Sequence, residues 1–485
     1  MSITGTLSSA LTGLTTAARA AEVVSSNIAN AMTEGYGRRE LQTVSRSVGT
    51  TGQGVQVTGI SRHSDPILLG DRRMAEAGSG ARNTAAGFLK RLEGVLGTPD
   101  SATSLGSRIA AFDSSLIEAI SRPESEARLS RVAETAKALA AHLATASDDI
   151  QTTRGQADDR IESEVAQMNT ALVRIAALNG QIRGSFGVGR DASALVDQRQ
   201  QLIDTISGII PLREVPRGNG QIALFTAGGA VLLDGAPAEL GFAPVGVIIP
   251  GMTQASGALS GLTINGRAVS TAAEGSLISG GSLAGQFALR DDLAPRAQSQ
   301  LDAIARDLID RFADPALDIT RAPGMAGLFT DSGGAFLPAN ETGLAQRVRL
   351  NAAADPGAGG ALWRLRDGLG AVVPGAAGDA RLLKDLHLAL TAPRNPASGG
   401  FMTGARSYAS LTADMVSGVA SARVTSEGEA SFAAARLDTL REMELENGVD
   451  TDQEMQSLLL IEQAYAANAK VMSTVNDMIQ TLLGI

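Results

Sequence analysis

The stretch LSSALTGLTTAARAAEVVSSNIANAMTEGYG, residues 7–37, decides how this chain folds. Its positions Leu7, Leu11, Leu14, Ala18, Ala21, Ser25 and Ile28 advance by four and three in turn, the beat of a helix that packs alongside another. The pattern then stops. Gly35 stands where a left-handed residue ends a helix, and Tyr36 is placed to fold back near Asn30 and Ala31.

A matching stripe runs through the other end of the chain: Leu458, Ile461, Tyr465, Asn468, Met472, Val475, Ile479 and Leu482. A lone asparagine in such a seam sets register at a cost in stability, and Asn468 is that residue here. Two arrangements satisfy the stripes. Either the terminal helices pair with each other, or each lies separately on a globular core.

Between the ends the texture changes several times. A helical block begins after Pro123 and runs to Arg183, with one seam through Val132, Ala136, Leu139, Leu143, Ala146 and Ile150. A second seam follows through Ile161, Val165, Met168, Leu172, Ile175, Asn179 and Ile182, and the beat slips between Ala157 and Ile161. Such a stutter belongs to one long helix, or Gly155 divides the block in two. From about Ile209 to Gly285, bursts such as QIALF, AVLL and VGVII bounded by Gly, Pro and Asn read as strands, with a hairpin turned at Gly228 and Gly229.

Helical spacing returns at Leu293, Ala297, Leu301, Ile304, Leu308 and Phe312. A loop-rich stretch from Asp314 to about Gly378 follows, then a short helix near DARLLKDLHLAL and a long one from about Tyr408 to Glu446. The expected fold is mainly α with a β-rich insertion, long paired coiled-coil-like helices from both termini, and nested N- and C-terminal segments. Residues 1–60 and 447–485 would form a terminal assembly domain, 61–208 and 286–446 an inner helical domain, and 209–285 a small β-rich outer domain.

The chain has 485 residues, 44% of them hydrophobic and 19% charged, with a net charge of −10. That charge is wrong for nucleic acid, and no apolar run is long enough to cross a membrane. Cysteine is absent, which excludes disulfides, thiolate catalysis and iron–sulfur ligation. No Lys or Arg precedes Arg19, so the positive segment of a secretory signal peptide is missing.

Little here suggests chemistry. His63, His142 and His387 are scattered without metal-site spacing. The pairs Asp148-Asp149, Asp158-Asp159 and Asp291-Asp292 read as solvated faces or helix-start acids, because adjacent helical side chains diverge by about 100°. The glycines of RGSFGVGRDAS lack the lysine–hydroxyl pair of a phosphate loop and read as a connection between helices. No catalytic, cofactor-binding or metal site is expected.

The order Ala29-Asn30, Thr33, Gly35-Tyr36 is more particular than a helix stop requires, and it resembles the A-N-x-x-T-x-G-Y signature of flagellar axial proteins, those of rod, hook and hook-associated layers. GQGVQVTGISRHSDPILLGDRR downstream and ENGVDTDQEMQSLLLIEQAYAANAKVMSTVNDMIQTLLGI at the end are similar to segments of the same family. The inner stretches ALVDQRQQLIDTISGII and QMNTALVRIAALNGQI resemble its hook–filament junction branch. Gly37, where threonine is frequent, and a short β-rich insertion depart from the common pattern.

The resemblance implies a structural protein, not an enzyme, that needs no cofactor and joins hook to filament as a ring of subunits. Its partners would be copies of itself, the hook protein, a second hook-associated junction protein, and a cytoplasmic export chaperone on the C-terminal helix. It would reach the extracellular flagellum through the flagellar export apparatus. The residues of the two terminal stripes, with Ala29, Asn30, Thr33, Gly35 and Tyr36, would carry assembly. A hook or rod subunit is the alternative within the family. A secreted effector or enzyme with axial-type ends, active through residues 209–378, is the alternative outside it.

Overall fold

The computed structural model describes residues 3–33, 35–48, 51–272 and 275–483. Helix α1 (Ile3–Ala29) leads into an antiparallel hairpin, β1 (Arg39–Val48) and β2 (Thr51–Arg62). Four helices follow: α2 (Pro66–Leu96), α3 (Leu105–Ser121), α4 (Glu126–Gly187) and α5 (Ser193–Ser207). The β-rich part holds β3 (Leu212–Pro216), β4 (Ile222–Thr226), β5 (Val231–Asp234) and β6 (Ala236–Pro237) in one sheet. A second sheet holds β7 (Leu240–Gly241), β8 (Leu262–Ile264) and β9 (Arg267–Val269).

The chain then returns through α6 (Gly281–Ala288), a π-helical turn at Leu289–Leu293, and α7 (Ala294–Ala313). Short pieces follow: β10 (Phe329–Asp331), α8 (Leu344–Arg347), β11 (Val348–Leu350) and α9 (Arg364–Asp367). The return ends with α10 (Arg381–Thr391), α11 (Tyr408–Glu446) and α12 (Thr451–Leu483). The architecture is nested: α1 packs against α12, and α2 against α11.

Helix α4 is unbroken over 62 residues, roughly 90 Å, so Gly155 does not divide it. Its buried stripe serves two apolar cores. One gathers Phe88, Phe112, Leu139, Leu301, Phe312 and Phe329, the last pair of rings 5.4 Å apart. The other gathers Ile161, Met168, Ile203, Leu224, Leu262 and Phe287 under the β-rich part. Ala157 belongs to the first core and Ile161 to the second, so the slip in the heptad beat marks where the helix hands its buried face from one core to the other.

The same place corrects the reading of Asp158 as part of a solvated face, and puts Asp291 and Asp292 inside a continuous helical run rather than at a helix start. Asp158 is buried and accepts from Arg290 Nη1 at 2.6 Å and from Val245 N at 2.6 Å. Arg290 is fully buried, pairs with Asp291 at 2.8 Å and lies over the rings of Phe242 and Phe287. Arg154 donates to the Arg290 and Met252 carbonyls at 2.9 and 2.7 Å. These pairings stitch the connection between β7 and β8 onto α4. Asp159, one residue on and about 100° around the helix, stays exposed.

Elsewhere the structure sharpens two expectations and overturns one. Residues 66–121, expected as part of the helical body, resolve into two helices: α2 buries Arg72, Arg73, Ser79 and alanines ahead of Phe88, Leu92 and Leu96, and α3 buries Leu105, Ile109, Phe112 and Leu116. A start signal was present: Asp65 accepts from Ile67 N and Leu68 N, and Pro66 fills the first helical position. VGVII is no strand, and its Val247 and Ile249 are exposed. The β4–β5 hairpin does turn at Gly228 and Gly229, with Gly229 at φ +93°.

Candidate assembly site at the chain ends

Helices α1 and α12 run antiparallel, and two contacts fix their register. A β-carbon built on Gly13 would lie 2.7 Å from Asn468 Oδ1, so the asparagine side chain sits directly over the glycine. Asn27 Nδ2 donates to Glu454 Oε2 at 3.1 Å. Gly13 and Asn27 are two heptads apart on one helix, as are Glu454 and Asn468 on the other, so both contacts lie on one seam.

Along α12 that seam is the one read from sequence. Val475 is buried, Leu458, Ile461, Asn468, Met472 and Ile479 are half-buried, and Tyr465 and Leu482 are exposed. On α1 the most covered face is one residue earlier than the expected stripe: Ala10, Ala17, Val24 and Asn27 are buried. Leu7, Leu14, Ala21 and Ile28 are half-buried, and Leu11 and Ala18 are exposed. The larger leucines were counted as the seam, whereas the small residues let the helix axes approach and so face the partner.

Below the seam, the end of α1 is tied by hydrogen bonds. Asn27 is buried; its Nδ2 donates to the Arg39 carbonyl at 2.9 Å, and its Oδ1 accepts from Arg39 N at 3.0 Å and from the Tyr36 hydroxyl at 2.9 Å. Gly35 adopts φ +77°, as its place in the sequence suggested. Tyr36 therefore folds back one turn further than expected, onto Asn27 and Ser26 rather than Asn30 and Ala31. Asn30 Nδ2 donates to the Ser26 carbonyl at 2.9 Å; exposed Thr33 donates to Asn30 Oδ1 at 3.4 Å, and Ala29 is exposed. Arg38 Nε completes the closure on Glu454 Oε1 at 2.7 Å.

Sequence reading missed what the VDQRQQLID stretch does, although it singled the stretch out. From α5, Asp197 accepts from Arg39 Nη2 at 2.6 Å, Arg62 Nε at 2.7 Å and Gly37 N at 3.3 Å. A β-carbon on Gly37 would lie 2.4 Å from Arg62 Nε, so the residue that departs from the common threonine is what lets Arg62 in. Arg199 donates to Asn179 Oδ1 and the Gly220 carbonyl, and burial lowers its pKa.

Two turns beyond Asp197, Asp204 receives Arg72 Nη2 at 2.6 Å and Arg73 Nε at 2.7 Å. Arg73 also reaches Glu214 and Gln200, and Arg72 reaches Glu444 on α11 at 2.7 Å. Burial pulls the Arg72 pKa down, but Asp204, Glu444 and Glu76 outweigh it and hold it above the ordinary value. Helix α5 is thus the keystone between the terminal pair with its hairpin and the α2–α11 pair behind it.

The outward faces of the terminal pair remain apolar. Leu459, Leu460, Val471, Met478, Leu482 and Leu483 of α12 are exposed, as is Leu11 of α1. Among the described residues no group of three or more His, Cys, Asp or Glu side chains could hold a metal ion. His63 instead meets Glu40 at 2.9 Å and His387 meets Asp113 at 2.8 Å. No helix among the described residues is long and apolar enough to cross a membrane.

An antiparallel pair of chain ends, closed over a hairpin and backed by a second helix pair, defines a flagellar axial subunit, and three sequence families agree. Residues 7–36 match the flagella basal body rod protein family, residues 446–485 the flagellar basal body rod FlgEFG protein C-terminal family, and residues 89–315 the flagellar hook-associated protein FlgK helical domain. The chain belongs to the flagellar hook-associated protein 1, or FlgK, family.

It is 30% identical to flagellar hook-associated protein 1 of Salmonella typhimurium over 237 residues, 47% of this chain and 42% of that one. To the Bacillus subtilis protein of the same name it is 28% identical over 247 residues, 47% of this chain and 48% of that one. The chain thus spans under half the length of the relatives it matches. The flagellar hook junction protein FlgK of Burkholderia pseudomallei superposes with a TM-score of 0.45 at 20% identity, covering 54% of this chain and 47% of that one.

Proposed function

We propose that this chain is a structural subunit that joins the flagellar hook to the filament, adding as a ring of copies through its terminal helices. The observation that carries the reading is the paired α1 and α12, which cover one seam between them only in part and leave Leu459, Leu460, Val471 and Met478 open to water. Exposed apolar stripes of this extent on a helix pair are costly unless neighbouring copies cover them. Residues 1–60 and 447–485 act as the assembly unit, 61–208 and 286–446 as the helical body, and 209–285 as the outer β-rich part.

The hook protein, a second junction protein and an export chaperone holding the C-terminal helix are the partners this role requires. The place of action is the extracellular flagellum, reached through the flagellar export channel. Rod-type ends alone would also suit a rod or hook subunit, and the match of residues 89–315 to the hook-associated helical domain favours the junction. The test is a deletion strain. It should still build hooks while shedding filament subunits into the medium, and labelled protein should mark the hook–filament boundary in electron micrographs. Loss of the hooks themselves would refute the junction role.

A further inference from the structure

The chain contains four Asn-Gly steps, at Asn179, Asn219, Asn265 and Asn447. Such a step is chemically weak, because glycine carries no side chain to shield its backbone nitrogen from the neighbouring asparagine amide. The fold treats the four differently.

Asn179 is buried inside α4, where its Nδ2 donates to the Ile222 carbonyl at 2.9 Å and its Oδ1 accepts from Arg199 Nη1 at 2.8 Å. The Gly180 N–H is engaged in the helix, as interior helical N–H groups are. Asn447 is exposed at the end of α11, but Gly448 N donates to the Leu445 carbonyl at 3.0 Å. Asn265 turns β8 into β9 at φ +51°, and its Oδ1 accepts from Glu239 N at 2.9 Å. In each of these three, a hydrogen bond holds either the glycine nitrogen or the asparagine amide.

Asn219 has neither restraint. It stands exposed at the tip of the β3–β4 hairpin, at φ +57° and ψ +38°. Among the described residues its side chain has no hydrogen-bond partner. The loop is closed by Arg217 N to the Gln221 carbonyl at 2.7 Å and by Gln221 N to the Gly218 carbonyl at 3.3 Å, and neither bond uses Gly220 N.

We infer that Asn219 is a site of spontaneous deamidation and isoaspartate formation in the folded chain, and that the fold protects the other three Asn-Gly steps. Water takes the Gly220 N proton as that nitrogen attacks Asn219 Cγ. The new N–Cγ bond forms, the Cγ–Nδ2 bond breaks, and ammonia leaves. A second water then opens the cyclic imide at one of its two C–N bonds. Opening at Cγ gives aspartate; opening at the main-chain carbonyl gives isoaspartate, whose chain path runs through the side chain and is longer by one carbon.

The position gives the reaction a structural consequence. The Gly220 carbonyl accepts from Arg199 Nη1 at 2.7 Å, and a β-carbon on Gly220 would lie 2.5 Å from Phe186 Cε2. Residue 220 is therefore the clasp between the β-rich part and helices α4 and α5. A longer chain path at residue 219 presses on that fit and loosens the bond to Arg199.

The test follows the full-length protein at mildly alkaline pH, folded and, in parallel, unfolded in urea. After digestion, mass spectrometry reads the conversion of each Asn-Gly peptide, and protein isoaspartyl methyltransferase labels the isoaspartate. Each rate is divided by the rate of the same step in urea. Asn219 should keep nearly its unfolded rate, and Asn179 should be slowed by roughly a hundredfold or more, as befits a site reached only by opening of the core. Asn265 and Asn447 should fall between. In aged protein, amide exchange should quicken through residues 217–226. Asn219→Gly, which suits the left-handed position, should abolish the isoaspartate label in this loop and keep its exchange unchanged with age. Conversion of Asn219 as slow as that of Asn179, or slower than that of Asn265 or Asn447, overturns the inference.

Discussion

Asn27 and Glu454, 427 positions apart in the chain, share a 3.1 Å hydrogen bond at the base of the terminal helix pair. The carboxylate also takes Arg38 at 2.7 Å, and the amide satisfies both backbone groups of Arg39. One buried side chain therefore locks the end of α1, the start of the hairpin and the first turn of α12 together. Replacing Asn27 with alanine leaves Arg39 N without its acceptor, at about 1–3 kcal/mol. Amide hydrogen exchange should quicken through residues 20–30 and 451–460 while the α4 core stays protected. Tyr36→Phe removes the hydroxyl's bonds to Asn27 and Ser26 and should cost about 1–2 kcal/mol in the same measurement.

Asp197 serves three donors on a different segment, and Asp197→Ala strands two arginines whose side chains are mostly covered. Removing one partner of such a buried group costs about 3 kcal/mol. The β1–β2 hairpin should then open toward exchange ahead of α5, and Asp197→Asn should recover only part of its protection. Unchanged exchange in the hairpin would show that α5 does not hold it.

Gly13→Leu should part the terminal helices, since its side chain would occupy the space of Asn468. The double variant Gly13→Leu with Asn468→Ala should recover much of the lost helicity, because the smaller residue vacates that space. Failure of the second change to rescue the first would mean that the two residues are not opposed.

Gly155 lies inside α4 with open space where a β-carbon would go. Gly155→Ala should raise stability by about 1 kcal/mol through helix propensity, read as a higher melting temperature. A fall would indicate that the helix needs a flexible point at the junction of its two cores.

Asp302 is buried, and desolvation raises its pKa to about 6, against the opposing effect of bonds from Ala345 N, Gly343 N and Gln298. A carboxyl whose folded pKa exceeds its unfolded value of 3.8 binds protons more tightly when folded. Its ionisation therefore reduces stability as pH rises from about 4 to about 6, by on the order of 2–3 kcal/mol, with the full cost present above that window. Between pH 4 and 7, Asp302→Asn should show a flatter melting profile than the parent chain. Identical profiles would remove Asp302 as the cause.

Much of this was legible in the linear chain because it depends on local rules. Helical periodicity needs only neighbouring residues, so α4, α7, α11 and α12 could be read directly, along with the stutter after Ala157 and the stop at Gly35. The C-terminal stripe proved to be the face that meets α1. The N-terminal stripe was offset by one residue, since large side chains dominate a hydrophobic count while close helix packing selects small ones. In the first half of α2 two buried positions are arginines, Arg72 and Arg73, which only distant carboxylates make tolerable and which no apolar count includes.

By itself, then, the sequence determined the helices, their capped ends and the apolar stripe of α12, because backbone preference and side-chain spacing act over a few residues. Tertiary structure alone decided that Asp158 would be buried rather than solvated, that Asp197 and Asp204 would tie together segments more than a hundred residues apart, and that Glu454 would close on Asn27. The physical reason is that a charge can be buried only when its partner arrives with it, and that partner is supplied by the folded chain rather than by sequence neighbours.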